Sequence, residues 1–371
     1  MKSNIIYKKD SVLGYCAWPT LARINDKTLA VAFSGNRLHH TDSFGKTMVI
    51  YSHDEGKTWS NPIAAVDTDF DDRDGGIVAK GNQVLVSSFN TNNAGSFASV
   101  EIHVVHNGGS NKILNEIDMV RAYINLNEKA NENDVGSSIS VSEDGGLTFS
   151  KKIKMPISSP HGPKLLSDGR YVWVGHATNV PENRRKEGHD YGIIPPGLYI
   201  TFSSDGYNWT KPEKLPGNDD GLEVRFWEPD VIELKNGELL VMARTQKKGE
   251  ILDHVIYQTV SHDKITKWDA PSYIGIHAFP PHLMRHSSGK LICSVSKRVG
   301  GFVEQVYTSD DEGKTWQGPY DLDDTACDKD MGYPTTVELN DGSLLTAYYH
   351  HDKKEQKCYI KSTHWTLDEL K

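Results

Sequence analysis

The chain lacks any apolar run long enough to cross a membrane as a helix. Its first fifteen residues, MKSNIIYKKDSVLGY, lack the apolar core of a signal peptide, so a cytoplasmic location is expected. Cysteine is scarce. Cys16, Cys293, Cys327 and Cys358 are scattered, with no CxxC spacing, and are read as reduced thiols in preference to disulfides or metal ligands. No metal or other cofactor is called for. A basic excess is missing as well: 41 Lys and Arg face 50 Asp and Glu, a net charge of −9. That argues against nucleic acid or an anionic membrane as the main partner. It leaves room for a small anionic substrate, because a local arginine cluster can outweigh the global charge. Sustained helical periodicity is nearly absent, which directs the reading to an all-β fold.

What is present is repetition. SHDEGKTW at Ser52 returns as SEDGGLTF at Ser142, SSDGYNW at Ser203 and SDDEGKTW at Ser309, with weaker copies SHDKITKW at Ser261 and STHW at Ser362. The pattern S-x-D-x-G-x-T-W suits a tight turn. The aspartate accepts backbone N–H groups, glycine takes a positive φ, and the aromatic packs inward. A second motif precedes each copy: a short apolar strand, a turn built on DG, NG, SG or similar, and another apolar strand, as in EPDVIELKNGELLVMAR from Glu228. Each pair supplies about four strands, the signature of a propeller. The expected fold is a single-domain, six-bladed β-propeller of four-stranded antiparallel blades. The blades are placed at roughly 19–60, 75–150, 160–210, 228–268, 279–316 and 333–365. Residues 1–15 would close the ring, and 91–133 would form an insertion in the second blade. The boxes lie on turns and are expected to carry structure, not chemistry.

Hairpin direction alone points to the site. Residues at the start of each first strand and at the end of each second strand emerge on one face around one axis. The first set holds Trp18, Asp72, Arg73, Asp74, His161, Trp227, Glu228, His282 and Tyr333. The second holds Asn36, Arg37, His39, His40 and Asp42, then Asn90, His176, Arg244, Lys297, Arg298, His350 and His351. Ordinary loops favour Gly, Ser, Asn and Pro. Here arginines suited to a carboxylate converge with carboxylates suited to proton transfer.

The Asp-box turns and six blades resemble the sialidase superfamily of glycoside hydrolases, the BNR-repeat proteins. The resemblance implies Glu228 and Arg244 at the two ends of the fourth hairpin. It implies Arg298 as a further clamp arginine after SVSK, and Tyr333, opening GYPTTVELNDG, as nucleophile. NRLHHTDSFGKTMVIYSHDEGKTW supplies Arg37 and Asp42, the latter as acid/base. The family's Arg-Ile-Pro at the first blade is replaced by Ala17-Trp18-Pro19, so Arg73 or Arg37 stands in for the first clamp arginine. Trp18, Asp74, His161 and His282 complete the expected substrate contacts. The implied activity is retaining exo-hydrolysis of a terminal acidic sugar, a sialic acid or a related nonulosonic or uronic acid. The roles have a physical basis. A sugar carrying a carboxylate at its anomeric carbon repels a carboxylate nucleophile, so a neutral tyrosine assisted by glutamate serves instead. Two other readings stand beside it: a lyase using His and Tyr on a uronate, and a non-catalytic glycan-binding propeller.

Overall fold

The computed structural model describes residues 1–91, 135–150, 152–178, 194–217, 224–247, 254–353 and 357–370, together with positions 118, 119 and 122. The expected insertion at 91–133 lies almost wholly outside the described residues.

Six antiparallel sheets form the blades. Blade I comprises Tyr15–Asn25, Thr28–Arg37, Lys46–Ser52 and Ile63–Val66. Blade II comprises Asp71–Lys80, Gln83–Thr91, Gly136–Ser142 and Ile153–Met155. In blade III the inner strand is split into Ile157–Ser158 and Lys164–Leu165. Both pieces pair with Tyr171–Ala177, which Leu198–Ser203 and Glu213–Lys214 follow. Blade IV is Val224–Glu233, Leu239–Lys247, His254–Ser261 and Ser272–Tyr273, and blade V is Phe279–Arg285, Leu291–Lys297, Val303–Ser309 and Gln317–Asp323. Blade VI takes Gly332–Glu338, Leu344–His350 and Tyr359–Trp365 from the end of the chain and its outer strand, Lys2–Tyr7, from the beginning. In blades I to V the fourth strand lies beyond the C-terminal end of the turn box, past the point where each expected range stops. These outer strands are short or carry little apolar patterning, which is why the expected ranges stop before them.

The core is divided among the six gaps between blades, and strand alternation explains why. Leu29, Val31 and Phe33 face blade VI, while Ala30 and Ala32 face blade II. Leu239 and Val241 face blade III, and Leu240 and Met242 face blade V. Successive side chains of a strand point to opposite faces. A second strand buried on both faces must therefore be apolar throughout, as LAVAF and LLVMA are.

The box turns fasten one end of the ring. Asp54 accepts hydrogen bonds from the Ser52 hydroxyl (2.8 Å), the Thr58 N–H (2.8 Å) and the Thr58 hydroxyl (2.6 Å), and the Trp59 indole donates to the Gly56 carbonyl at 3.1 Å. Asp144 and Asp311 repeat the arrangement. A tight turn with this many satisfied donors needs no further role.

Candidate active site

The opposite end of the ring is built by a repeated irregularity. The ladder between first and second strands slips at Ala17/Thr20, Arg73/Gly76, Trp227/Asp230, Phe279/His282 and Gly332/Thr335. At four of these bulges a non-glycine residue takes a left-handed conformation: Trp18 (φ 53°), Asp74 (φ 49°), Glu228 (φ 47°) and Tyr333 (φ 54°). Gly162 (φ 69°) holds the equivalent place in blade III. Such a conformation costs on the order of 1–3 kcal/mol per residue, and bulges re-aim side chains. Proline follows at Pro19, Pro163, Pro229 and Pro334, where the bulge has already broken the ladder and no N–H is needed. The recurring dipeptides WP, GP, EP and YP were the signal in the sequence for these positions. It is easily misread, because a residue before proline ordinarily prefers extended backbone.

Glu228 and Tyr333, 105 residues apart, are brought into direct contact: the tyrosine hydroxyl donates to Glu228 Oε1. The other oxygen, Oε2, accepts from Arg244 Nη1 at 2.7 Å. Burial alone would raise the Glu228 pKa. The charge of Arg244, its hydrogen bond and that of Tyr333, and the charge of Arg298 outweigh burial and hold the carboxyl below the ordinary glutamate range. Burial, then the negative charge of Glu228 and of Asp74, push the Tyr333 hydroxyl well above the usual tyrosine value. The resting pair is therefore a neutral phenol bonded to a carboxylate.

Arg244 also donates from Nε to His254 Nδ1 at 3.1 Å and stacks on Phe279 at 4.1 Å. Arg298 also lies near that ring, 4.9 Å from Phe279, and is 5.3 Å from Tyr333 and 5.9 Å from Tyr349. Its Nε and Nη2 are buried and have no hydrogen-bond partner among the described residues. Gly332 makes room for it: a Cβ there would come within 2.7 Å of Arg298 Nη2. Glu304, buried nearby, does not neutralise it. Burial pushes the Glu304 carboxyl up to about 8 against the opposing hydrogen bond from Ser296 (2.6 Å) and the charge of Arg298. A buried guanidinium with unmatched donors is costly unless an anion completes it.

Asp74 is 9% exposed, and its Oδ1 is buried without a hydrogen-bond partner among the described residues. Burial, reinforced by the charge of Glu228 and opposed by that of Arg73, raises its carboxyl to about 7. Arg73 lies over Trp18, its Cζ 4.1 Å from the ring centroid, and its Nε has no hydrogen-bond partner among the described residues.

Several expected contacts sit elsewhere. Arg37 is fully buried. It donates to both oxygens of Asp71, to Ser34 Oγ at 3.0 Å, to the His40 carbonyl at 2.9 Å and to the His39 carbonyl at 3.3 Å. Its donors are spent on the fold, so it offers a substrate nothing. Asp42 is also buried: both of its oxygens accept backbone N–H groups, from Leu38, His39 and Phe44. It caps its own loop instead of presenting an acid. Trp18, 2% exposed, is enclosed by Arg73, Arg37 and His40 and cannot offer an open face to a sugar. His161 and His282 are buried side by side on the axis, their rings 5.2 Å apart, with His161 6.4 Å from the Tyr333 ring. Burial keeps both well below the ordinary histidine value. They line the inner end of a cavity of about 280 Å³ that runs along the axis past Thr336, Ile77, Val231 and Leu283. Trp227, next to Glu228 and 5.5 Å from the His176 ring, is exposed. Sequence reading placed Trp227 on this face but did not single it out. Glu304 gave no signal at all, since it is the second residue of the strand VEQVYTS and lies outside the strand ends that hairpin direction picks out.

No family model matches the chain, and no curated protein matches it. Among solved structures, a protein of unknown function from Dyadobacter fermentans superposes with a TM-score of 0.73 at 17% identity, covering 98% of this chain and 97% of its own. The intramolecular trans-sialidase of Ruminococcus gnavus superposes with a TM-score of 0.66 at 14% identity, covering 100% and 98%. The NanB sialidase of Streptococcus pneumoniae gives 0.62 at 15% identity, covering 99% and 71%. The fold is thus a six-bladed propeller of the sialidase-like type. At these identities the likeness speaks for the fold alone.

Proposed function

We propose that the protein is a retaining exo-glycosidase that removes a terminal acidic sugar, a sialic acid or related nonulosonic or uronic acid. One observation carries the reading: a neutral tyrosine bonded to an ionised glutamate lies beside Arg298, a half-buried arginine whose buried Nε and Nη2 have no partner among the described residues. The sugar carboxylate occupies Arg298, with Arg244 and Arg73 adding positive charge around it. Tyr333 passes its proton to Glu228 as its oxygen bonds the anomeric carbon. The glycosidic C–O bond breaks, and the leaving oxygen takes a proton from Asp74. Water then attacks the anomeric carbon, gives its proton to Asp74, and releases Tyr333, which recovers its proton from Glu228. The carboxylic acid at position 74 takes the role that Asp42, tied to its loop, is not free to play. Trp227 offers the flat face for the aglycone. Of the histidines a lyase reading would use, His161 and His282 are buried behind the tyrosine, while His39 and His40 are exposed, with His40 Nδ1 2.8 Å from Asp330 Oδ1.

The test is a panel of aryl glycosides of sialic acid, its deaminated analogue, Kdo and glucuronic acid, run with wild type and Tyr333→Phe. Release from an acidic glycoside that falls at least about 10²-fold in the variant supports the reading. Folded wild-type protein that releases nothing from any of them rejects it.

A further inference from the structure

A second cluster of reactive side chains lies on the connection that delivers Tyr333 to the axis. Cys327, Asp328 and His351 each turn a ligating atom toward a common point, with all of these atoms within 4.8 Å of one another. They come from two segments. Cys327 and Asp328 precede Gly332–Glu338, and His351 directly follows Leu344–His350. The backbone holds the segments in register, because the Cys327 N–H donates to the His351 carbonyl at 3.2 Å. Asp328 is oriented from both sides: Oδ1 accepts the Asp330 N–H at 2.7 Å and stands 3.0 Å from His351 Nε2. His351 is buried, whereas Cys327 and Asp328 are half-exposed, so the point is reachable from solvent.

We propose that Cys327, Asp328 and His351 form a binding site for a zinc-like divalent transition-metal ion, independent of the glycosidase reading. Thiolate, imidazole and carboxylate together are a borderline-soft set, suited to zinc or cobalt and ill-suited to calcium or magnesium, which take oxygen ligands. Around a tetrahedral zinc with bonds of about 2.0–2.3 Å, ligand atoms sit roughly 3.3–3.8 Å apart. The three atoms need to close by little more than an ångström at most. The fourth position is left to water. On binding, the Cys327 thiol gives its proton to solvent. His351 ligates through Nε2 with its ring proton on Nδ1, replacing the Asp328 contact at that nitrogen. Affinity therefore rises with pH. The site departs from the sequence reading of Cys327 as a plain reduced thiol, because Cys327 and His351 are 24 residues apart in no recognised metal spacing. The ion would pin the end of Leu344–His350 to the segment whose next residues, through Asp330, receive hydrogen bonds from Tyr15 (2.9 Å) and Tyr349 (3.3 Å) beneath the active face.

The experiment is titration of chelator-treated full-length protein with cobalt(II) and then zinc(II), followed by absorbance, metal analysis and thermal melting. One equivalent should bind, with a near-ultraviolet thiolate-to-cobalt band that zinc abolishes, and zinc should raise the melting temperature. Cys327→Ser should remove the band, and Asp328→Asn should weaken zinc binding by about 10–100-fold. Both positions are half-exposed, so both variants should fold. A cobalt spectrum without a thiolate band, zinc binding unchanged by Cys327→Ser, or no stoichiometric binding would each overturn the proposal.

Discussion

Asp74 and Glu304 are carboxyl groups on which burial acts in the same direction for different ends. Asp74 is raised to about 7 and Glu228 is held below its ordinary range. Activity should therefore follow a bell: an acid limb as Glu228 protonates and an alkaline limb as Asp74 ionises near pH 7. The measurement is kcat/KM against pH for aryl glycosides. Asp74→Asn should flatten the alkaline limb and lower kcat about 10²–10⁴-fold for poor leaving groups, with much less loss for an activated aryl aglycone. An equal loss for both aglycones would instead make Asp74 a positioning residue. Glu304 bears on stability. Its folded pKa, about 8, lies above the unfolded value, so between roughly pH 4.5 and 8 the native state holds a proton that the unfolded state has lost. Stability must fall as pH rises through that window. Glu304→Gln should remove this share of the fall, seen as a flatter melting temperature between pH 5 and 8.

At the scale of elements, the bulged first strand is the device that makes a site. Regular pairing would alternate each side chain toward one neighbouring blade or the other and leave none for the axis. The slip at each bulge turns Glu228 and Tyr333 toward each other instead. Gly332, with φ of 116°, lets Arg298 pass beside the tyrosine strand. Gly332→Ala would set a methyl against Arg298 Nη2 and Ser296 Oγ, and would strain a backbone conformation that favours glycine. Binding of acidic sugars should weaken by roughly 10-fold or more, in KM before kcat, because a charge-assisted contact contributes about 1.5–3 kcal/mol. Wild-type KM in that variant would show that Arg298 does not hold the carboxylate.

At the scale of the molecule, the ring is closed by the first strand pairing with Tyr359–Trp365. Lys2–Tyr7 is mostly exposed, with Ile6 as its buried residue, so its contribution lies mainly in the ladder it completes. Removing residues 1–7 should lower the melting temperature modestly. It should also promote self-association through the bared edge of Tyr359–Trp365, measurable by light scattering on heating. An unchanged melting profile and no association would show that the ring holds without this strand.

The repeats and the hairpins were legible in the sequence because they are local. An S-x-D-x-G-x-T-W turn closes on itself within eight residues, and a doubly buried strand must read as an unbroken apolar run. Hairpin direction placed Glu228, Arg244, Arg298 and Tyr333 among the strand ends on one face, and the family resemblance singled them out from the rest. The sequence by itself therefore determined the blades, their order and the end of the ring that bears the arginines. Only the tertiary structure decided which charges are free. Arg37 and Arg298 are alike in sequence, yet Asp71 occupies one, while Nε and Nη2 of the other have no partner among the described residues. Asp42 and Asp74 are alike too, yet backbone N–H groups claim one, while Oδ1 of the other has no partner among the described residues. The physical reason is that desolvation and pairing depend on neighbours tens to hundreds of residues away, whose distances only the closed ring sets.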